Sequence, residues 1–267
     1  MRNLFSLAAL LFVIMTNPLQ AQNQPFASTD SFYVVVRYAK VLPGMGEAYT
    51  KLHQVWAKVL QDRQAKGEIM YWRLYKRSFP MGTDASYDYI SVIGHRTVAS
   101  IESYDALDFA DFAKGLSKED ADIIMNSNKV RNTVSRSLFK FKGSSPQGKE
   151  AKYLRVMGVE AMPGKGRDYL ALLQQSVPLI AEAIKSGKLM DRTVWQRVFP
   201  NNPDLNDFAI IQQYKSLSDA VGSMDDTFVT EFKKIYPYLS YDLFQKQFLD
   251  IRKVLSMELW EQVDGTK

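Results

Sequence analysis

Two stretches of the chain, 120 positions apart, share one pattern. Tyr33–Gly46 has the sequence YVVVRYAKVLPGMG, and Tyr153–Gly166 has the sequence YLRVMGVEAMPGKG. Each begins with residues typical of a β-strand and ends in a Pro-Gly turn signal. After the first turn, apolar residues from Tyr49 to Leu60 recur at the spacing of an amphipathic helix. Each half therefore begins with a strand, a turn and a helix.

The similarity continues beyond these stretches. Gly67 matches Gly187, and Arg77 matches Arg197, again 120 positions later. In the first half, strands are predicted at 32–41, 69–79, 87–96 and 133–141, with helical segments at 46–66 and 98–129. This order of elements is that of a ferredoxin-like unit, and the second half repeats it. Because such a unit covers only one sheet face with helices, we expect the two bare faces to pack together.

The Pro-Gly-x-Gly turns at Pro43–Gly46 and Pro163–Gly166 and the closing strand Val254–Trp260 carry a family resemblance. The chain resembles the dimeric α/β-barrel superfamily, in particular its antibiotic-biosynthesis-monooxygenase-like (ABM-like) and NIPSNAP-like members. The predicted fold class is α+β, with two ferredoxin-like (βαββαβ) repeats packed sheet to sheet as an intramolecular dimeric α/β barrel. The resemblance implies a central cavity, which in relatives hosts oxygenation, isomerisation, decolorisation, haem handling or no known reaction. It carries no catalytic motif over to this chain.

The start of the chain has the composition of a leader. Arg2 precedes an uncharged apolar run of 12 residues from Leu4 to Met15, and Ala21 is a small residue suited to cleavage. This pattern is typical of a secretory signal peptide and is too short to span a bilayer; an uncleaved anchor is the alternative. We expect an exported protein, periplasmic or secreted, without stable membrane insertion. The predicted divisions are a signal peptide at 1–21, an N-terminal extension at 22–31, the first repeat at 32–142, a linker at 143–150 and the second repeat at 151–267.

The composition excludes several kinds of site. The 267 residues include no Cys and two His, which excludes thiolate catalysis, cysteine-bound metals and a multi-histidine metal site. Without residues 1–21, 33 basic residues stand against 29 acidic ones, and the net charge of +4 lies wholly in 22–147. No basic run indicates nucleic-acid binding. We expect no metal and no cofactor, and the charge asymmetry indicates that one half carries the function.

Strand alternation predicts which side chains face the cavity. The apolar face of the first strand, which includes Val34, is predicted to lie under the helices. Arg37, on the opposite face, would then point inward, and so would Arg155 on the first strand of the second half. On the second strands, Trp72 is assigned to the helix side, although a charged residue, Arg192, stands at the matching position. The ligand-binding residues predicted on the inward faces are Arg37, Arg73, Tyr75, Tyr89, Arg155, Asp191, Trp195, Tyr214, Glu258 and Trp260.

The predicted interior combines aromatic rings with charged groups, and two interpretations of it are open. A buried Arg must be paired. In the first interpretation, arginines and carboxylates bridge the two sheets and satisfy one another. In the second, the guanidinium groups hold an anionic ligand between aromatic walls.

The two histidines have different predicted positions. His95 is the candidate catalytic residue, because alternation places it on the inward face of the third strand and imidazole can act as a general base near neutral pH. A purely structural, hydrogen-bonded role is the alternative for His95. His53 follows the apolar stripe of the first helix and is predicted to be solvated.

Three functional hypotheses follow. The first is binding of a small aromatic or anionic organic molecule in the barrel. The second is an enzyme, a cofactor-independent monooxygenase or isomerase with His95 as base and Arg37 or Arg73 stabilising an enolate. The third is a structural or interaction protein whose barrel is filled by its own side chains. Because the two repeats would complete the barrel within one chain, we expect a monomer or a weak homodimer.

Overall fold

The computed structural model of the chain describes residues 32–79, 86–144, 151–200, 205–222 and 225–266, and for 225–227 the backbone only. The predicted signal peptide, the extension at 22–31 and linker residues 145–150 lie outside these ranges. Among the helices of the described residues, none is long and apolar enough to cross a membrane.

The described part of the first half contains four strands, four α-helices and one 3₁₀ turn. The elements, in chain order, are β1 (Tyr33–Val41), α1 (Gly46–Ala65), β2 (Tyr71–Ser78), β3 (Tyr89–His95), α2 (Val98–Asp105), α3 (Phe109–Ala113), α4 (Lys118–Met125), a 3₁₀ turn (Ser127–Lys129) and β4 (Arg131–Ser144). The predicted strands are confirmed to within a few residues at each end. Gly44 has a φ of 78°, which explains the Pro-Gly turn before α1, because a left-handed backbone favours glycine.

The second half repeats this order with one additional break. Its elements are β5 (Tyr153–Ala161), α5 (Gly166–Gln175), α6 (Val177–Lys185), β6 (Asp191–Phe199), β7 (Phe208–Tyr214), α7 (Leu217–Val221), α8 (Asp225–Ile235), α9 (Tyr241–Ile251) and β8 (Arg252–Gly265). The 20-residue α1 corresponds here to two helices, because Pro178 lacks an amide hydrogen and occupies the first turn of α6. As predicted, Pro237 falls between two helices, α8 and α9.

The eight strands form one closed barrel. Their order is β1-β3-β2-β8-β5-β7-β6-β4, and every pair of neighbours is antiparallel. The two halves meet at two edges, where β2 pairs with β8 and β4 pairs with β6. The predicted fold class is confirmed, and hydrogen-bonded edges close the two sheets into a single barrel with helices outside.

Matching contacts support the equivalence of the two halves. The amide of Val41 donates to Asp88 Oδ2 at 2.9 Å, and the amide of Ala161 donates to Asp207 Oδ2 at 2.8 Å. In both halves an aspartate before the third strand thus holds the end of the first strand.

The hydrophobic core is divided by the wall of the barrel. One cluster lies inside it and includes Val36, Phe139, Val156, Trp195 and Trp260. Separate clusters lie between the wall and the helices, one around α1 in the first half and others around α5, α6 and α9 in the second. Each strand therefore has one face toward the interior and one toward the helices.

Candidate functional site

The interior of the barrel contains a cavity of about 750 Å³. This volume is that of a small-molecule site and far exceeds that of a water molecule. The barrel is therefore not filled by its own side chains, which counts against the structural hypothesis. Apolar residues of β1 and β5 form the middle of the wall: Val34, Val36, Leu154 and Val156.

Two groups of aromatic rings face this cavity. In one group, Trp195 lies 5.3 Å from Phe32 and 5.1 Å from Phe141 between ring centroids. In the other, Trp260 lies 5.9 Å from Tyr75 and 6.4 Å from Tyr38. Flat apolar walls of this kind favour a planar ligand, because aromatic rings gain from edge and offset-stacked contacts.

Glu258 is one of two carboxyl groups among the described residues of the lining. It accepts hydrogen bonds from Tyr87 Oη and, at 2.7 Å, from Trp260 Nε1. Its other oxygen lies 3.4 Å from an Arg77 guanidinium nitrogen. The carboxylate is thus satisfied by the protein itself, and burial together with Glu258 raises the pKa of Tyr87.

Asp191 is the second carboxyl group, at the start of β6. It is 2% exposed, and its carboxyl group accepts a hydrogen bond from the Arg192 amide at 2.7 Å. No Lys or Arg side-chain nitrogen of the described residues lies within 4.0 Å of it. Burial disfavours its charged form and raises the pKa of Asp191 to about 6. Near neutral pH this group can accept a proton or, when protonated, donate a hydrogen bond to a ligand.

Arg73 is the predicted arginine that does line the cavity. Its guanidinium donates to the carbonyl of Trp72 at 2.9 Å and to the carbonyl of Thr266, next to the end of β8. It also stacks over Tyr71, with 5.7 Å between the guanidinium carbon and the ring centroid. Much of its hydrogen-bonding capacity therefore goes to positioning the C-terminal strand.

The predicted faces of four strands are wrong. The apolar side of β1 and β5 faces the cavity, so Arg37 and Arg155 lie outside, among the helices. Arg37 pairs with Asp105 at the end of α2 at 3.5 Å, and Arg155 Nε donates to the carbonyl of Ala220 in α7 at 3.0 Å. The physical reason is that both side chains find acceptors among the helices: Arg37 pairs with the Asp105 carboxylate, and Arg155 bonds a carbonyl at the end of α7, where helix carbonyls lack intrahelical partners.

The third strands show the same reversal. Tyr89 packs against Tyr49 of α1 with ring centroids 4.4 Å apart, and Tyr214 is fully buried under the helices with Arg155 over its ring. On β7, Ala209 and its neighbours in alternation face the cavity instead. The predicted inward residues on β2, β6 and β8 do line the cavity, namely Arg73, Tyr75, Asp191, Trp195, Glu258 and Trp260.

His95 does not reach the cavity. It is fully buried on the helix side of β3, 5.5 Å from the Tyr104 ring, with Nδ1 3.5 Å from Ser100 Oγ. Burial lowers the pKa of His95 to about 4, so it is neutral at physiological pH. Its placement fits the structural alternative and not a base acting in the barrel. The other histidine is also engaged, since His53 Nδ1 lies 2.9 Å from Asp264 Oδ2.

A second cavity, of about 1050 Å³, lies outside the barrel wall in the second half. The outer faces of β5, β6, β7 and β8 form its floor, and α5, α6 and α9 border it. Arg155, Arg192 and Arg252 all line it. The prediction that Arg192 lies on the helix side is correct. The charge of Arg192 on that side was the one sequence signal for this cavity.

Comparisons with known proteins identify the fold and leave the activity open. No family model and no curated protein matches the sequence. An anthrone oxidase-like protein has a similar structure, with a TM-score of 0.53, 12% identity and coverage of 90% of this chain and 94% of that one. A proposed monooxygenase from Lactobacillus acidophilus NCFM has a TM-score of 0.52 at 10% identity, covering 89% and 96%. This chain has the dimeric α/β-barrel fold.

A third similar structure raises the question of haem. It is a heme-binding protein from Thermus thermophilus, with a TM-score of 0.50, 8% identity and coverage of 90% of this chain and 94% of that one. In the present chain both histidines lie in the first half, and neither lines the two large cavities. The described residues of those cavities therefore do not fit a haem held by histidine.

Proposed function

We propose that the protein binds a small, neutral aromatic molecule inside the barrel. The observation that carries this proposal is the 750 Å³ cavity walled by two aromatic groups, with Asp191 in its lining as a hydrogen-bonding carboxyl group. An aromatic body would stack on Trp195 and Trp260. A phenolic or similar hydroxyl would donate to Asp191.

The distribution of charge favours a neutral ligand over an anionic one in this cavity. Two of the three arginines predicted for the interior, Arg37 and Arg155, point outward, and Arg73 donates to the backbone. Both carboxyl groups, by contrast, line the interior. An anion would meet these acidic groups, and the described lining offers it no uncommitted cation in compensation.

Binding of 2-naphthol, measured by titration calorimetry, tests the proposal. Ala209 lines the cavity and is 9% exposed, so Ala209→Phe places a ring in the space that the ligand needs. We expect at least a tenfold loss of affinity. Ala106→Phe, the same substitution at an exposed position after α2, should leave the affinity unchanged. Equal affinities of the two variants, or no binding by the parent protein, would contradict the proposal.

Asp191 also favours a second candidate function, oxidation of the bound molecule. A carboxylate with a pKa of about 6 in an apolar cavity is suited to take the proton of a phenolic substrate. Molecular oxygen would be the oxidant: the ring carbon opposite the phenolic or keto group gains one oxygen atom as a carbonyl, and its hydrogen atoms leave with the other oxygen atom as water. The substrate itself thus supplies the electrons, and no further reductant is needed. An isomerase would need only the proton transfer at Asp191.

The two candidates differ in what Asp191→Asn does. In an enzyme, this variant would abolish oxygen uptake with an anthrone or quinol substrate, while 2-naphthol affinity would fall only a few-fold. In a binding protein, no oxygen uptake above the uncatalysed rate occurs with either form. Oxygen-electrode measurements on both proteins therefore separate them.

We also propose that the protein is exported, that its two halves arose by duplication, and that it is a monomer or a weak homodimer. The leader pattern supports cleavage after Ala21, and the repeated order of elements supports duplication of one ancestral unit. A barrel closed within one chain supports a monomer or weak homodimer. The mass of the protein from its native host, by intact mass spectrometry and by light scattering, tests cleavage and subunit number together.

A further inference from the structure

The helix-side cavity of the second half contains arginines without carboxylate partners among the described residues. Arg192 is 3% exposed, and its guanidinium donates to Ser176 Oγ at 2.6 Å and to the Leu173 carbonyl at 3.1 Å. Its Nε is buried and has no hydrogen-bond partner in the described parts of the chain. Burial lowers the pKa of Arg192 to about 10, and at that pKa the group is still charged at neutral pH. The buried, positively charged guanidinium of Arg192 is therefore hydrogen-bonded only to neutral groups of the described residues.

Arg252 repeats this situation on the same floor. It donates to Tyr169 Oη at 3.3 Å and lies over the Phe248 ring at 4.8 Å, while its Nε is buried without a partner among the described residues. Arg155, at the mouth, is held by the carbonyls of Ala220 and Gly222. No described carboxylate lies within 4.0 Å of these three guanidinium groups. The one described carboxylate in the lining, Glu258, pairs with Arg77.

Buried charges in proteins are paired, because an uncompensated ion is costly to desolvate. Here the described residues supply no such counter-charge beside an open cavity of about 1050 Å³. The rest of the lining is largely apolar, with Leu179, Ile180 and Phe244 opposite the arginines. The site therefore combines a bidentate anion-binding group with room for an apolar body.

We propose that this cavity is a second binding site, for an organic carboxylate with an apolar body. The carboxylate oxygens lie against Arg192 and Arg252, and the apolar body lies between the sheet and α9. β5, β6 and β7 lie between this site and the barrel interior, and the two cavities share only Ser256 and Glu258 of β8 in their described linings. It also takes a ligand of the opposite character, since the Asp191 carboxyl group lines the barrel interior and not this cavity.

Titration calorimetry with 2-naphthoate tests the proposal, with 2-naphthamide as the uncharged molecule of similar size. The comparison is made in Ala209→Phe, whose filled barrel interior excludes neutral aromatic molecules, and there the carboxylate should bind at least tenfold more tightly than the amide. Arg192→Met and Arg252→Met should each weaken carboxylate binding at least tenfold. Arg131→Met is the matched control, because Arg131 begins β4 as Arg252 begins β8, and it should leave the affinity unchanged.

Two further measurements distinguish this site from a folding defect and from binding inside the barrel. Without ligand, Arg192→Met should melt at or above the temperature of the parent, since it removes a buried charge. 2-Naphthoate should raise the melting temperatures of the parent, Arg131→Met and Ala209→Phe more than that of Arg192→Met. Ala209→Phe, which fills the barrel interior, should not change 2-naphthoate affinity. No binding by the parent, equal loss in Arg131→Met, or loss in Ala209→Phe would overturn the proposal, and the last result would place the carboxylate inside the barrel.

Discussion

The space between sheet and helices is almost closed in the first half and wide open in the second. The cavities there have volumes of about 40 and 1050 Å³. In the first half, Trp56 of α1 and Trp72 of β2 are buried in this space. The residues 120 positions later are Ser176 and Arg192, which contact each other in the second half. Two indole rings thus fill the space that a hydroxyl and a guanidinium leave open.

The helices differ for a related reason. α1 is one continuous helix across its sheet, whereas the break at Ser176 before Pro178 divides its counterpart into α5 and α6. The Ser176 hydroxyl at this break donates to the Leu173 carbonyl and accepts from Arg192. The space between sheet and helices is therefore closely packed in the first half, whereas the second half leaves an open cavity there. The net charge of +4, which indicated that one half carries the function, lies in the first half and thus not in the more open one.

The largest expected effect comes from exchanging the residues that define this difference. Trp72→Arg should lower the free energy of unfolding by about 4 kcal/mol or more, because a buried indole is lost and a charge is buried without a partner. Urea denaturation would measure this loss, provided that the free energy of unfolding depends on urea concentration with the same slope in both proteins. Arg192→Trp, the reverse exchange, should cost less than about 1 kcal/mol, because the open cavity can accept the ring. Similar losses in both variants would show that the two spaces are equivalent.

A smaller effect concerns His95, whose counterpart is Tyr214. Because burial depresses the pKa of His95 from 6.5 to about 4, the unfolded chain binds its proton first as the pH falls. Its contribution is fully present above pH 6.5 and is lost as the pH falls toward 4, by up to about 3 kcal/mol. Denaturation of His95→Gln over this range should show a flatter dependence on pH. An unchanged slope would mean that His95 is solvated.

Asp191 should act in the opposite direction, with a smaller amplitude. Its pKa is raised from 3.8 to about 6, so its contribution is present below pH 3.8 and is lost as the pH rises through 6. Asp191→Asn should therefore gain about 1–2 kcal/mol relative to the parent between pH 4 and pH 7. Unfolding measured at those two pH values checks this. No relative gain would indicate a cation beside the carboxylate.

Much of the architecture was predictable, because strands, turns and helices leave local signals. The Pro-Gly turns, the glycine after α1 and the proline between α8 and α9 all mark boundaries that the structure confirms. The bare sheet faces predicted that the two sheets pack together, and the family resemblance implied a barrel. The pairing of β4 with β6 and of β2 with β8 was visible only in the structure, since edge pairing leaves no sequence pattern of its own.

The inward faces were predictable only on some strands. On β2 and β6, Tyr75 and Trp195 alternate with residues of distinct character, and these were assigned correctly. β1, β3, β5 and β7 lie in the middle of each half and are buried on both faces, so apolar alternation carries little information. There the charges of Arg37 and Arg155 were misleading, because the helix ends that they contact are distant in sequence. The helix-side cavity was not predicted from the sequence. It exists because Ser176 and Arg192 do not fill the space between sheet and helices that Trp56 and Trp72 fill in the first half.

The central claim is that the barrel interior is a site for neutral aromatic molecules. A crystal structure of the protein soaked with 6-bromo-2-naphthol, with the bromine located by anomalous scattering, tests it most directly. We expect one bromine peak inside the barrel between Trp195 and Trp260, with the hydroxyl oxygen within hydrogen-bonding distance of Asp191. An interior without the ligand, at concentrations where the protein binds it in solution, would contradict the claim.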